Sequence, residues 1–484
     1  MFYSLKSRLF QSLLSMACLS FGLASCGSKT KKKATETPQP KPNVIFVMVD
    51  DLGYGDLGSY GQKEIHTPNL DRLAANGLRF TQCYSGTTVC APSRSVLMTG
   101  QHTGHTTVRG NFGFGGVKGL AGGDGRVPLH DEDITIAEVL KTAGYVTGMT
   151  GKWGLGEPGT EGEPNDQGFD EWFGFLNQRR AHHHFTDYLW LNKEKQEIKE
   201  EDRHKPENYT HNLFTDFALS FVEKHGSKDK PFFLYIPYLL PHDEYEIPQI
   251  DERYKDKDWT EQEKIYASMV SLIDSDMGKI AKKLKDMGID DNTLLFFTSD
   301  NGGARRWDGR FDSNGALRGK KRDLYEGGIR IPMIVSMPGT VSAGVVEATP
   351  WTFADVLPTV ADFAGAKTPA NIDGISVKDL LTGKGKPGAD RAFYWEFHEK
   401  GGKQAVRKGN WKAVRLDVDK KGFHSDVELY DLSKDLGEKT NVATDHPEVV
   451  KDLLDVMEKE HTLSQHFPFP HEMEKLEKKL AGGK

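Results

Sequence analysis

The sequence predicts an α/β fold with a large, mostly parallel central sheet flanked by helices, followed by a smaller C-terminal antiparallel-sheet subdomain with a helix. Three observations carry this prediction. Two apolar runs, Val44–Val49 and Leu294–Phe297, are uninterrupted and end at polar pairs, Asp50-Asp51 and Asp300-Asn301. A strand covered by helices on both faces reads as a continuous apolar run, because neither side meets water. Helical patterns lie between such runs, the alternation that builds layered α/β folds. After about Gly388 the texture changes to short β-like runs between Gly, Lys and Asp turns, which suits a meander.

In chain order, residues 1–25 read as an export signal. Lys6 and Arg8 form a basic start, and Leu9–Leu23 an apolar stretch too short to span a membrane. Leu23-Ala24-Ser25-Cys26 resembles a lipobox, which implies cleavage before Cys26 and lipid attachment to its sulfur. The expected product is exported and lipid-anchored at the periplasmic face or cell surface of a bacterium, with the membrane as one partner. Residues 26–42 carry Lys31-Lys32-Lys33 and three prolines but no apolar pattern, and read as a flexible tether. The lysine run favours the periplasm by attraction to anionic headgroups.

Residues 43–387 form the expected main domain. Phe232–Pro237 and Ile331–Met337 join the two runs above as core strands. Helices are expected at Leu70–Gly77, Ile134–Ala143 and Glu261–Met287, with Gly77, Gly144 and Gly288 placed as caps. Residues 388–484 form the C-terminal subdomain. It holds β-like runs at Ala392–Phe397, Gln404–Arg407, Trp411–Arg415 and Val427–Tyr430. An amphipathic helix, Pro447–Glu460, follows with Val449, Val450, Leu453, Leu454 and Met457 on one face. No internal repeat is visible.

The chain has 484 residues, 37% hydrophobic and 27% charged, a composition able to bury a core. Its net charge of −7, with no basic block in the body, argues against a nucleic-acid partner. Of four cysteines, Cys18 leaves with the signal and Cys26 would carry lipid, so Cys83 and Cys90 alone remain in the body. An exported protein so poor in thiols is not a disulfide scaffold. Cys90 therefore needs another role.

Asp50-Asp51 and Asp300-Asn301 stand at the carboxyl ends of two core strands, where open α/β sheets bind ligands. Adjacent carboxylates there repel one another unless a cation neutralises them. Three carboxylates and an amide oxygen suit calcium, with magnesium as the alternative, rather than zinc. Cys90-Ala91-Pro92-Ser93-Arg94 precedes a helix-forming stretch, and Pro92 fits a first turn, so Cys90 would sit at a helix N-terminus.

Cys90-Ala91-Pro92-Ser93-Arg94, followed by Ser95-x-Leu97-Met98-Thr99-Gly100, resembles the signature of the type I sulfatases. Other segments resemble that family in the same order: Val47–Gly53, Thr67–Asp71, Thr150-Gly151-Lys152-Trp153, Pro241-His242, Ser299–Gly302 and Leu317–Arg330. Gly409–Lys412 and Leu429–Leu432 match its small C-terminal sheet. The resemblance runs from Asn43 to about Pro447. It implies an alkaline-phosphatase-like sandwich and a sulfuric ester hydrolase. It also implies a maturation enzyme, formylglycine-generating or equivalent, that oxidises Cys90 to formylglycine. Asp50, Asp51, Asp300, Asn301 and the matured Cys90 would then surround one calcium ion. Arg94 would hold residue 90, and Lys152 and Lys321 would grip the sulfate, since sulfuryl transfer needs cations aimed at its oxygens. His242 is the candidate proton donor to the leaving sugar oxygen.

One departure stands out: the family's histidine after Gly-Lys-Trp is Gly154 here. His105 and the His182-His183-His184 run are the candidates for the base that this leaves missing. Gly151–Gly156, Asn165–Asp170, Gln178-Arg179-x-Ala181-His182 and Phe311–Gly315 resemble a branch acting on 4-O-sulfated galactose or N-acetylgalactosamine. Gln178, Arg179 and His182 are the candidate sugar contacts, with Trp351 and Trp395 as candidate rim aromatics. The competing expectations are a phosphate or phosphonate ester hydrolase of the same superfamily and a catalytically silent glycan-binding lipoprotein. Asn301, where the phosphate enzymes more often carry histidine, and the retention of Cys90 with every metal ligand speak against them.

Overall fold

The computed structural model describes residues 40–122, 125–227 and 229–482. The expected signal, the lipidation residue Cys26 and most of the tether lie outside the described residues. In chain order the strands of the large sheet are β1 (Asn43–Val49), β2 (Leu78–Tyr84), β3 (Val146–Lys152), β4 (Glu171–Phe175), β5 (Tyr188–Leu191) and β6 (Glu194–Glu197). They continue with β7 (Phe232–Pro237), β8 (Thr293–Ser299), β9 (Arg330–Ser336), β10 (Val345–Glu347) and β11 (Trp351–Thr352). Their spatial order is β10-β2-β9-β8-β1-β7-β3-β4-β5-β6, with β11 also against β2. The centre, β8-β1-β7-β3-β4, is parallel. β9 runs antiparallel between β8 and β2, and β5 and β6 close the other edge as an antiparallel pair.

The sheet has a core on each face. Val44, Phe46 and Met48 of β1 enter one cluster; Ile45, Val47 and Val49 enter the other. This is the physical origin of the unbroken apolar run. Helices α1 (Pro68–Asn76), α2 (Cys90–Thr99), α3 (Ile136–Thr142) and α4 (Thr210–His225) and the helix Glu261–Asp286 supply the covering layers. α2 and α3 pack on the first face, and α1, α4 and Glu261–Asp286 on the second.

Gly144 and Gly288 adopt positive φ after their helices, as expected of caps. Gly77 does not: its φ of −121° is extended. A Cβ there would lie 2.6 Å from the Val335 carbonyl oxygen, so close approach to β9, not cap geometry, requires glycine.

The second sheet is antiparallel, ordered β12 (Ala392–Phe397), β13 (Lys403–Lys408), β14 (Trp411–Arg415) and β15 (Val427–Asp431). Phe393, Trp395, Phe397 and Val414 on one face pack with Tyr84, Val89, Leu324 and Ile329. Tyr394, Val406, Ala413 and Leu429 on the other meet Leu453 and Met457 of the helix Pro447–Glu460. Trp395 and Trp351 are fully buried, so neither is a rim aromatic. The Trp395 indole N–H donates to the Ser85 carbonyl at 3.0 Å. A buried ionic knot joins the two sheets: Lys412 of β14 lies 3.0 Å from Glu326 and 2.9 Å from Glu438, and Arg330 of β9 lies 3.2 Å from Glu326.

Candidate active site

Strand register assembles the centre. Val49 of β1 pairs with Ser299 of β8, so Asp50 and Asp300 leave neighbouring strands side by side. The Asp51 amide donates to Asp300 Oδ1 at 3.2 Å, and Asn301 Nδ2 donates to Asp51 Oδ1 at 2.7 Å. Asp51 turns the chain with a φ of +65°, a conformation uncommon outside glycine and frequent at functional sites.

α2 begins at Cys90, with Val89 still extended before it. The Cys90 thiol donates to Asp50 Oδ1 at 3.4 Å. One turn on, the Arg94 guanidinium is wholly buried. Its Nη2 lies 3.0 Å from Asp300 Oδ2 and 3.3 Å from Asp50 Oδ2, and Nη1 donates to the Lys152 carbonyl at 2.5 Å. Ser93 Oγ donates to the Asp300 carbonyl at 2.6 Å, fixing the helix to β8.

Two lysines reach the same carboxylates from other segments. Lys152, the last residue of β3, places Nζ 2.5 Å from Asp50 Oδ2. Lys321 Nζ lies 2.7 Å from Asp51 Oδ2 and 2.8 Å from His242 Nε2. His242 itself is 3.4 Å from Asp51 Oδ2, and its Nδ1 is held by Asp243, at 2.5 Å from the carbonyl and 2.6 Å from the carboxylate. Burial and Lys321 oppose a charged imidazole, but Asp51, Asp50 and the bond to Asp243 outweigh them and push His242 up to about 10. Asp243 is a site residue that the sequence reading missed; its signal was its place directly after Pro241-His242.

The carboxylates feel their crowding. Burial, and then repulsion from Asp50, push Asp300 up to about 6 despite Arg94. Burial also works against ionised Asp50, but Lys152, His242, Arg94 and Lys321 hold it well below the usual carboxylate range. Asp50, Asp51, Cys90 and His242 bring donor atoms within 4.8 Å of one another. Asn301 Oδ1 is buried beside them without a hydrogen-bond partner. A buried amide oxygen left open is costly unless something electropositive takes it. Carboxylate oxygens converging with one open amide acceptor fit a divalent cation.

Around this centre the other expected residues divide. Gln178 is buried, and a Cβ on Gly154 would fall 2.1 Å from Gln178 Oε1. The space where the family's histidine would begin is filled by Gln178. The His182 ring lies 4.2 Å from that of His242, centroid to centroid; burial and the His242 charge push its pKa down to about 2. His183 is exposed, and His184 is buried with Nε2 3.2 Å from the His242 carbonyl. Arg179 is exposed. His105 belongs to a different cluster: its Nδ1 is 2.9 Å from Asp373, and its ring stacks on His102.

A family model described as Sulfatase matches residues 42–366, and one described as N-sulphoglucosamine sulphohydrolase, C-terminal, matches residues 319–463. Arylsulfatase A of Homo sapiens is 33% identical over 460 residues, 85% of this chain and 86% of that protein. N-acetylgalactosamine-6-sulfatase of Canis lupus familiaris is 34% identical over 368 residues, 72% of this chain and 67% of that protein. The crystal structure of Ps i-CgsB in complex with k-i-k-neocarrahexaose matches with 30% identity and a TM-score of 0.74, covering 87% of this chain and 92% of that one. These likenesses bear out the expected alkaline-phosphatase-like architecture.

Proposed function

The chain belongs to the sulfatase family and is a sulfuric ester hydrolase; on that premise we propose that it removes O-sulfate from 4-O-sulfated galactose or N-acetylgalactosamine, using a formylglycine at position 90 and calcium. One observation carries the reading. The Cys90 thiol opens a helix against Asp50, in a cluster where Asn301 Oδ1 has no partner and Lys152 and Lys321 supply positive charge.

In this reading Asp50, Asp51, Asp300, Asn301 and residue 90 would hold the calcium, which supplies charge neutralisation and a lowered pKa for a hydroxyl beside it. Matured residue 90, hydrated, would supply the attacking oxygen. Arg94, tied to Asp50, Asp300 and the Lys152 carbonyl, keeps the start of α2 against the carboxylates. Lys152 and Lys321 meet the sulfate oxygens, where negative charge must be stabilised during transfer. His242, its Nδ1 fixed by Asp243, presents Nε2 as the proton donor to the departing sugar oxygen. Gln178, Arg179 and His182 would read the sugar hydroxyls.

The sugar assignment rests on the motif branch. The oligosaccharide bound to Ps i-CgsB supports a carbohydrate substrate, and the likeness to an N-acetylgalactosamine-6-sulfatase makes the 6-sulfate the competing position. Export and lipid anchoring through Cys26 are proposed from the N-terminal sequence alone. Mass spectrometry of the peptide holding residue 90 tests the maturation, since formylglycine is lighter than cysteine. Sulfate release from a panel of sulfated monosaccharides tests the substrate; activity on 6-sulfates but not 4-sulfates rejects the proposed position.

A further inference from the structure

Among the described phenylalanine, tyrosine and tryptophan residues, Phe112 and Phe114 are the only ones left mostly in solvent, 53% and 58% exposed. Their backbone is not loose. Gly113 N–H donates to the Gly125 carbonyl and Phe114 N–H to the His466 carbonyl, both at 2.8 Å, and Val117 pairs with Arg126 at 2.7 and 3.0 Å. A Cβ on Gly113 would meet His466 O, Phe467 and Val127 at 2.8 Å, so the segment is pressed against its support. Two rings are thus held outward on a fixed backbone, an arrangement that favours contact with a ligand over folding.

The same loop is stitched to the expected sugar-binding segment. Leu120 N–H donates to Glu157 Oε2 at 3.0 Å, and Asn177 Nδ2 donates to Glu157 Oε1. Asn177 Oδ1 in turn accepts the Arg179 N–H at 2.9 Å, next to Gln178. Arg126 supports the platform within its own loop: it donates to the Asn111 carbonyl at 2.8 Å, and its guanidinium lies 4.3 Å from the Phe112 ring centre. A Cβ on Gly119 would lie 2.9 Å from Asn177 Nδ2 and 3.0 Å from Arg126 Cγ, so Asn177 and the Arg126 stem flank the same glycine.

We propose that Phe112 and Phe114 form a stacking platform for the pyranose next to the sulfated one, so that the enzyme acts on a sugar within an oligosaccharide in preference to a free monosaccharide. The proposal rests on the carbohydrate reading above. The apolar C–H face of a pyranose meets the negative face of an aromatic ring, and Arg126 adds a cation for an anionic group on that second sugar. Size favours this occupant. Two half-exposed rings offer roughly 200 Å², suited to one sugar and far below the ~1,000 Å² of a stable protein interface.

The test compares wild type with Phe112→Ala/Phe114→Ala on a sulfated monosaccharide and on a sulfated oligosaccharide of the same sugar. The double variant is expected to lose roughly tenfold in kcat/KM on the oligosaccharide, chiefly through KM, and to match wild type on the monosaccharide. Phe112→Tyr/Phe114→Tyr should recover most of that loss. Equal losses on both substrates, or none on the oligosaccharide, overturn the platform. If wild type releases sulfate from an aryl sulfate but from no sugar, the carbohydrate reading fails by itself. Calorimetric binding of the oligosaccharide then decides: weaker binding to the double Ala variant supports the platform, and equal binding overturns it.

Discussion

Gly154→Ala probes the pocket that replaces the family's histidine. Gly154 has a φ of +81°, where a residue with a Cβ pays about 1–2 kcal/mol. The new Cβ would also lie 2.1 Å from Gln178 Oε1 and 3.2 Å from its Cδ, so the buried Gln178 side chain must turn away. Holding it off its preferred rotamer adds about 0.5–1.5 kcal/mol. The expected destabilisation is therefore roughly 2–3 kcal/mol, of which about 1 kcal/mol should vanish when Gln178 is already alanine. The assay is urea unfolding in saturating calcium for Gly154→Ala, Gln178→Ala and the pair. Sulfate release measured alongside should fall in Gly154→Ala, because Gln178 is displaced. A single variant as stable as wild type, or strictly additive effects in the pair, refutes the claim that Gln178 fills this space. By the same reasoning Gly154→His should not lodge an imidazole there unless Gln178 is shortened too.

Three further outcomes follow. Lys412→Met leaves Glu326 and Glu438 buried without their shared cation and should cost about 3–5 kcal/mol in unfolding; a loss near zero would show the knot to be dispensable. His461 is opposed by burial but raised to about 9 by Glu396 and Glu472. With its folded value above the unfolded ~6.5, the stabilisation is complete below pH ~6.5 and is lost as pH rises through about 9, worth on the order of 3 kcal/mol. His461→Gln should flatten that slope, and identical pH profiles of stability would discount the interaction. Removing divalent cations with a chelator should abolish sulfate release and calcium should restore it. Asn301→Ala should raise the half-saturating calcium at least about tenfold, and an unchanged value would mean that the open Oδ1 holds no metal.

What the sequence conceals is as physical as what it reveals. β1 and β8 were legible because each is buried on both faces, and the polar pairs that end them fall together through register. β3 was not, because its glycines weaken the strand signal. A Cβ on Gly151 would meet the Pro237 carbonyl of β7 at 2.1 Å, and one on Gly148 would strike the Phe221 ring at 2.4 Å. Those glycines exist for neighbours that only the fold brings close. His105 follows Arg94 closely in sequence, but the ten-residue α2 rises ~15 Å between its ends and carries His105 beyond the far one, to Asp373. The motif lysines, His242 and the carboxylates could be read because their spacing was matched as a set; Gln178 filling the space at Gly154 could not, since nothing along the chain links the two.

Every residue of α2 is buried, and Cys90 is only 3% exposed. A catalyst that rewrites a side chain has to grasp several residues around it, and the finished protein offers none of them. The maturation proposed for Cys90 would therefore have to act while the polypeptide is still open. Competence would then be settled once, before the chain closes. On that proposal a copy that closed too early would be well folded but inert, and the active fraction of a preparation would report a race between modification and folding.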